Sequence, residues 1–568
     1  MHAHGPRPGQ RLILALSWSK LRGMAGKARV VSALLCVVIG GCRSEEGSEA
    51  AGHESTSAVD DTEHGASSSE DSGGSDGGGL PACEDVASRL DFDRMMEDLA
   101  TLESIAAEHG GNRASGLPGF DASHAWVKGE LEAAGYVVDE TAVDFNFAMR
   151  VAPGTLGQTA PEAVSFTHGE DFLEFLFTIP GDLEAPLSAV DLDLGPGNQS
   201  TSACEPEDFA GFTPGHIALI QRGTCTFATK IAHAAAAGAV GAIVFNQGGV
   251  ADPARTEVQT VALFPEGLGD FAPIPAVFAS YELGAALAAE TGVVVRMVTD
   301  TVAEVRQSRN LIVETAAGNP DEVVMFGAHL DSVPDGPGIN DNGTGSIAVL
   351  ALARLVADCA PQRKLRFGWW AAEEFGLWGS NAYVAGLPND ELGRLLLYAN
   401  FDMVGSPNAA HFVYDGDGSR FGQAGPPGSA LLEQFFHDDF ASEDLALLET
   451  QFGGRSDYAA FFSAGVATGG LFTGAEGIKT GEQAELFGGE AGEPFDRCYH
   501  RHCDGVANID TVAYQRMSRS MARALQTFGV QGAGLQAERA PSSREQVMAA
   551  VTDAHAQHRG CSHAWVSE

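Results

Sequence analysis

The sequence predicts an α/β fold: a mixed, mostly parallel β-sheet flanked by helices, with a β-rich module inserted into it. Short, largely apolar runs, among them Arg309-Asn-Leu-Ile-Val-Glu314, Glu322-Val-Val-Met-Phe-Gly-Ala328, Lys364-Leu-Arg-Phe-Gly-Trp-Trp370 and Leu396-Leu-Tyr-Ala-Asn-Phe401, alternate with helical stretches. That is the pattern of βα units around a sheet buried on both faces. Polar, glycine-rich loops follow these runs, at the strand ends where open α/β sheets place their chemistry. Between about residues 151 and 305 the pattern changes to short strands and Pro/Gly turns before the sheet pattern resumes, which marks the insertion.

In chain order, residues 1–42 read as an export signal: a basic start near Met24, a short apolar run and small residues before Cys42. Ile39-Gly-Gly-Cys42 resembles a bacterial lipobox, which implies lipidation of Cys42 and a cell-envelope lipoprotein; an ordinary cleaved signal, and a secreted protein, is the alternative. The run is too short to span a bilayer. Residues 43–82, mostly Ser, Glu, Gly, Asp and His, cannot bury enough apolar surface to fold and read as a tether. Residues 83–150 hold helical patterns at 90–107 and 122–134 and a strand at 136–145. Residues 151–305 form the insertion, residues 306–530 return to the sheet, and residues 531–568 are an uninformative tail. The length allows roughly three to four domains. A formal net charge of -42 argues against nucleic acid and anionic lipid surfaces, so membrane contact is expected through the lipid anchor only.

Each strand end carries a side chain able to hold a metal or move a proton. His329 closes its strand, and Asp331, two residues on, lies on the same side of an extended backbone, where its carboxylate can orient the imidazole. Asp341 sits in Asn340-Asp-Asn-Gly-Thr-Gly345, a turn-rich loop before the helical pattern at 346–356. Taken by themselves, these residues fit a capped, hydrogen-bonded loop equally well. Glu373 and Glu374 follow the strand ending at Trp370. Adjacent side chains point apart, so one can bind metal while the other takes a proton from water. Asp402 ends a third strand. His500 lies in Arg497-Cys-Tyr-His-Arg-His-Cys-Asp504, where Cys498 and Cys503 are expected to staple the loop rather than bind zinc, since no Cys-x-x-Cys accompanies them. Two histidines and three carboxylates, one of them bridging, supply two zinc ions about 3.5–4 Å apart.

Two resemblances follow from motifs in order. Ile217-Ala-Leu-Ile-Gln-Arg-Gly-Thr-Cys-Thr-Phe227 and Ala237-Gly-Ala-Val-Gly-Ala-Ile-Val-Phe-Asn246 resemble the protease-associated (PA) domain, and Cys204 is expected to pair with Cys225. Ala-His329-Leu-Asp331-Ser, Asn340-Asp341-Asn-Gly-Thr-Gly, Ala-Ala-Glu373-Glu374-Phe-Gly-Leu-Trp-Gly-Ser, Asn-Phe-Asp402-Met-Val-Gly, Gly-Arg455-Ser-Asp457-Tyr and Cys-Tyr499-His500 resemble the M28 family of zinc metallopeptidases. The stretch 454–508 looks most like that family's secreted streptomycete aminopeptidases.

The M28 resemblance implies a zinc-peptidase-like sandwich fold and peptide substrates. It implies one zinc on His329, Asp341 and Asp402 and another on Asp341, Glu374 and His500. Glu373 would be general base and later acid, Tyr499 an oxyanion donor, and Arg455 a contact for the substrate's N-terminal end. Some streptomycete relatives carry calcium held partly by acidic residues of the C-terminal helix; that helix offers mainly Asp510 in this chain, so calcium is doubtful for this protein. A carboxypeptidase or cyclase on the same core remains an alternative, with a metal-free binding protein and a dizinc phosphatase further off. Cys83, Cys359 and Cys561 have no assigned partner, and the preferred residue and oligomeric state are not legible.

Overall fold

A computed structural model describes residues 80–250, 252–263 and 267–535; Cys42, most of the tether, Cys561 and the tail beyond residue 535 lie outside the described residues. In chain order the strands are β1 (Asp139–Ala160), β2 (Val164–Ser165), β3 (Phe172–Glu174), β4 (Gly181–Val190), β5 (Ile217–Gln221), β6 (Gly241–Phe245) and β7 (Ala276–Ala279). They continue as β8 (Val294–Glu314), β9 (Asn319–His329), β10 (Arg363–Trp370), β11 (Leu395–Phe401), β12 (Phe412–Tyr414), β13 (Leu448–Thr450) and β14 (Ala467–Phe472).

The larger part of the sheet runs β13-β12-β14-β11-β9-β10-β8, and β1 pairs with β8. Its centre, β14-β11-β9-β10, is parallel, while β12 and β8 flank it antiparallel. The apolar runs are buried on both faces, as a parallel centre requires. On one face Phe326, Phe367 and Phe401 of β9, β10 and β11 stack at centroid spacings of 6.1 Å, in one core with the almost wholly buried helix Gly345–Val356. On the other, Trp370, Tyr383 and Tyr398 gather with Phe461, whose ring lies 3.7 Å from that of Tyr398. The helix Phe92–Glu108 is capped by Asp91, whose side chain accepts the Arg94 N–H, and turns Met95, Leu99, Leu102 and Ala106 inward at helical spacing. Among the described residues no helix is long and apolar enough to cross a membrane.

The insertion is joined through strands, not linkers. β1 and β8 run on past residues 151 and 305 as one antiparallel ribbon, bulged between Arg150 and Ala152 and again before Thr155, and β8 then pairs with β4 of the β4-β5-β6-β7-β3 sheet. Phe375, next to Glu374, packs its ring 5.1 Å from Phe145 and 5.3 Å from Phe147, so the insertion's core reaches the peptidase strand ends. Cys204 bonds Cys225 and Cys498 bonds Cys503. Cys83 bonds Cys359 across 276 residues, a pairing no sequence spacing signals.

Candidate active site

Three neighbouring parallel strands end at the same edge, and each delivers a metal-binding or acid–base side chain there. β9 ends on His329, Glu373 and Glu374 follow β10, and Asp402 follows β11 directly. Asp341 comes from the irregular turn Ile339–Thr344, within which Asp341 and Asn342 leave helical backbone angles. His500 comes from the loop closed by Cys498 and Cys503. Ala372, Met403 and His500 all have left-handed backbones (φ 55°, 50° and 56°), a strain of about 1–3 kcal/mol each that the surrounding fold has to offset. Gly345 starts its helix where a Cβ would lie 2.2 Å from the Phe401 carbonyl oxygen, so only glycine lets the Asp341 loop approach β11 this closely.

Asp341 stands between the two histidines. Its Oδ1 is 3.3 Å from His329 Nε2 and its Oδ2 is 3.1 Å from His500 Nε2. Asp402 Oδ1 lies 3.4 Å from His329 Nε2, and Glu374 Oε2 lies 3.0 Å from His500 Nε2. The two histidines therefore share Asp341, with Asp402 beside His329 and Glu374 beside His500. Glu373 keeps 3.9 Å from His329 Nε2, the longest of these contacts, and faces the cavity.

These side chains are held in place by others. His329 Nδ1 is 3.1 Å from the Asp331 backbone carbonyl oxygen, whereas the Asp331 carboxylate expected to orient the imidazole stands at 3.6 Å and accepts the Glu373 backbone N–H at 3.2 Å. Ser456 donates to Asp402 Oδ2 at 2.6 Å. Asp504 accepts the N–H groups of Asn340 and Asp341 at 2.9 and 3.0 Å, tying the His500 loop to the Asp341 loop. Arg113, fully buried, donates to the carbonyls of Leu330, Pro337 and Gly338 in the segment joining His329 to Asp341. Sequence reading gave Arg113, Ser456 and Asp504 no role; they act through backbone and carboxylate contacts that no local pattern marks.

The charge balance calls for cations. Burial pushes Glu374 up to about 7 against the pull of His500, with Asp341 adding to the rise. Burial likewise lifts Glu373 well above the carboxylate range; His329 opposes this, and Asp457, Glu374 and Asp402 reinforce it. Burial would lower His500, yet Glu374 and Asp341 hold it up to about 10. Asp402 Oδ1 and Glu374 Oε1 are buried without a hydrogen-bond donor. His329, Asp341 and Glu374, and likewise His329, Glu373 and Asp402, each bring one ligand atom within 4.8 Å of the others. Imidazoles with carboxylate oxygens are a donor set that zinc accepts.

Phe412, Tyr414, Phe472 and Phe495 wall the cavity beside the carboxylates. Arg455 pairs with Glu476 at 2.8 Å and donates to the Tyr499 hydroxyl at 3.3 Å, and the Tyr499 ring stacks 3.8 Å from that of His500. His502 is exposed on the stapled loop, and Asp510 caps the helix Thr511–Ala524.

A mixed sheet that converges two histidines and four carboxylates on one cavity at its parallel strand ends defines a metallohydrolase. Residues 310–525 match the model of Peptidase family M28 and residues 183–287 that of the PA domain; an aminopeptidase of Pseudomonas aeruginosa (strain UCBPP-PA14) is 48% identical over 78% of this chain and 81% of its own length. The chain belongs to peptidase family M28. Leucine aminopeptidase 2 of Trichophyton rubrum is 37% identical over 78% of this chain and 86% of its own. A solved zinc aminopeptidase from Bacillus subtilis is 25% identical with a TM-score of 0.54, covering 79% of this chain and 97% of its own.

Proposed function

We propose that this chain is an exported dizinc aminopeptidase that removes apolar N-terminal residues from peptides. The observation that carries this reading is the placing of Asp341, whose two oxygens face His329 and His500 while Asp402 and Glu374 accompany one histidine each. The residues suit one zinc at His329, Asp341 and Asp402 and a second at Asp341, Glu374 and His500. Aminopeptidase activity is named for the relatives and zinc for the Bacillus subtilis structure. The chemistry zinc supplies in such a site is Lewis acidity toward the scissile carbonyl and the attacking water.

The chain's own residues do the rest. Glu373, aimed by Asp331, takes the proton of the attacking water and passes it to the departing amine. Burial holds the Tyr499 phenol well above its usual range, so its hydroxyl stays protonated and donates to the oxyanion. Arg455 positions Tyr499. Its guanidinium also pairs with Glu476, and among the residues lining this cavity no other Arg or Lys is available to a C-terminal carboxylate. That favours an aminopeptidase over a carboxypeptidase. The aromatic wall suits an apolar first side chain.

A panel of aminoacyl anilides set against N-blocked peptides with free C-termini tests the proposal. Hydrolysis of the free-amino substrates, fastest for apolar residues and abolished by chelation, is expected. Cleavage of the N-blocked peptides would instead support the carboxypeptidase reading.

A further inference from the structure

We propose that the chain also binds a hard divalent cation of the calcium class at Asp415, Asp417 and Glu433, a site that shares no residue with the two histidine-centred ones. Each of these three side chains brings a carboxylate oxygen within 4.8 Å of the other two. Asp415 is fully buried; its Oδ2 accepts the N–H groups of Arg420 and Phe421 at 3.1 and 2.7 Å, whereas its Oδ1 is buried with no hydrogen-bond donor. A buried carboxylate oxygen without donor or cation is costly, and it is this oxygen that an ion would satisfy. Glu433 is also buried and accepts the Asp417 N–H at 2.9 Å.

The protein's own cations do not neutralise this cluster. Among the described residues no Lys or Arg lies within ion-pair distance of the three, and His437 approaches Glu433 only to 3.9 Å while lying 3.2 Å from Glu449. Burial lifts the Glu433 carboxyl above its ordinary range, and the charges of Asp417 and Asp415 add to the rise against the Asp417 N–H bond. Asp417 is exposed and gives the ion a route in. The turn Asp415-Gly-Asp417-Gly-Ser419 is tight enough to bring alternate side chains round one centre: Gly418 has φ 73°, and Asp417 Oδ1 accepts the Ser419 N–H at 2.7 Å. Three hard oxygen donors without sulfur or imidazole favour calcium over zinc. Zinc would prefer the neighbouring set of Glu433, His437 and Glu449.

The site adjoins the substrate cavity. Tyr414 and Thr450 line that cavity, and the Asp415 N–H donates to the Thr450 carbonyl at 2.9 Å. A bound cation therefore ties the helix Ser429–Ser442, which carries Glu433, to the aromatic wall. Its effect on hydrolysis falls on KM more than on kcat.

The test uses the zinc-loaded full chain freed of calcium with a calcium-selective chelator. Calcium titration should show one bound equivalent, and thermal unfolding should rise by about 2–4 °C at roughly 10 mM calcium. Asp415→Asn keeps an acceptor for the two N–H groups; it should abolish the rise, leave zinc content unchanged, and melt no lower than the parent when calcium is absent. Asp417→Asn, at an exposed position, should weaken binding about tenfold without disturbing the fold. The proposal is overturned if the parent binds no calcium at that concentration, or if both variants respond as the parent does. It is equally overturned if only zinc stabilises, and does so through His437.

Discussion

Asp341 is the residue on which the site turns, because its two oxygens lie 3.3 and 3.1 Å from the two histidines. Asp341→Ala removes a donor from both metal positions and leaves their cations less neutralised, so bound zinc should fall below one equivalent and turnover by about 10³-fold or more. Metal analysis of the purified variant checks this, and a variant holding one zinc with turnover within tenfold of the parent would show that the position is not shared. Glu373 and Glu374 separate base from ligand. Glu373→Gln keeps the shape but cannot accept the proton, so turnover should drop by about 10²–10⁴-fold with zinc retained; Glu374→Gln should instead lose zinc on the His500 side. Zinc loss in the Glu373 variant would reverse the assignment. Arg113→Met leaves three carbonyls in the His329–Asp341 segment without their donor. A loss of about 3 kcal/mol or more is expected, since each buried unsatisfied group costs about 1–3 kcal/mol. Chemical denaturation measures it, and unchanged stability would refute the stapling role.

At the scale of the element, the parallel centre of the sheet was legible because its runs are short and largely apolar and its strands β9, β10 and β11 each end at or just before a site residue. Of the candidate site side chains, His329, Glu373, Glu374 and Asp402 were located by the same strand ends, whereas Asp341 and His500, which come from loops, were located by the order of the motifs. What escaped were features formed across the chain. The Cys83–Cys359 bond spans 276 residues, Arg113 acts through distant carbonyls, and the β1–β8 ribbon reads as ordinary strand on either side of an apparent boundary. The disulfide gives a prediction: Cys83→Ser should cost about 2–5 kcal/mol, visible as a lowered unfolding temperature in non-reducing buffer, and no shift would mean that the bond closes structure already rigid without it. Among the described residues the insertion holds no carboxylate–histidine cluster like that of the site, and it is expected to select among peptides as a wall or lid. Excision at residues 151 and 305 would cut two strands that the peptidase sheet shares, so a point change tests this better. Leu176 and Thr260 from the insertion line a cavity with Tyr499 and His500. Leu176→Ala should therefore change kcat/KM for tri- and tetrapeptides by about 3–10-fold while leaving a small aminoacyl anilide within about twofold. Equal effects on both substrates would remove the insertion from substrate selection.

For the whole molecule, the sequence before residue 80 and the acidic composition set where the enzyme is expected to work. If Cys42 carries lipid, Cys42→Ser should move the protein from the membrane fraction to the soluble one, because several acyl chains anchor stably and a strongly acidic chain has no electrostatic hold on an anionic membrane. Variant protein that stays with the membrane would rule the anchor out. The central claim, two zinc ions sharing Asp341 in one peptidase site, is tested most directly by returning zinc stepwise to the chelated full-length protein while following bound metal and turnover together. Full turnover should coincide with about two bound equivalents per chain, the stoichiometry of a co-catalytic pair, and the Asp341→Ala protein should never reach it. Full turnover at one equivalent, with no second ion bound, would contradict the account.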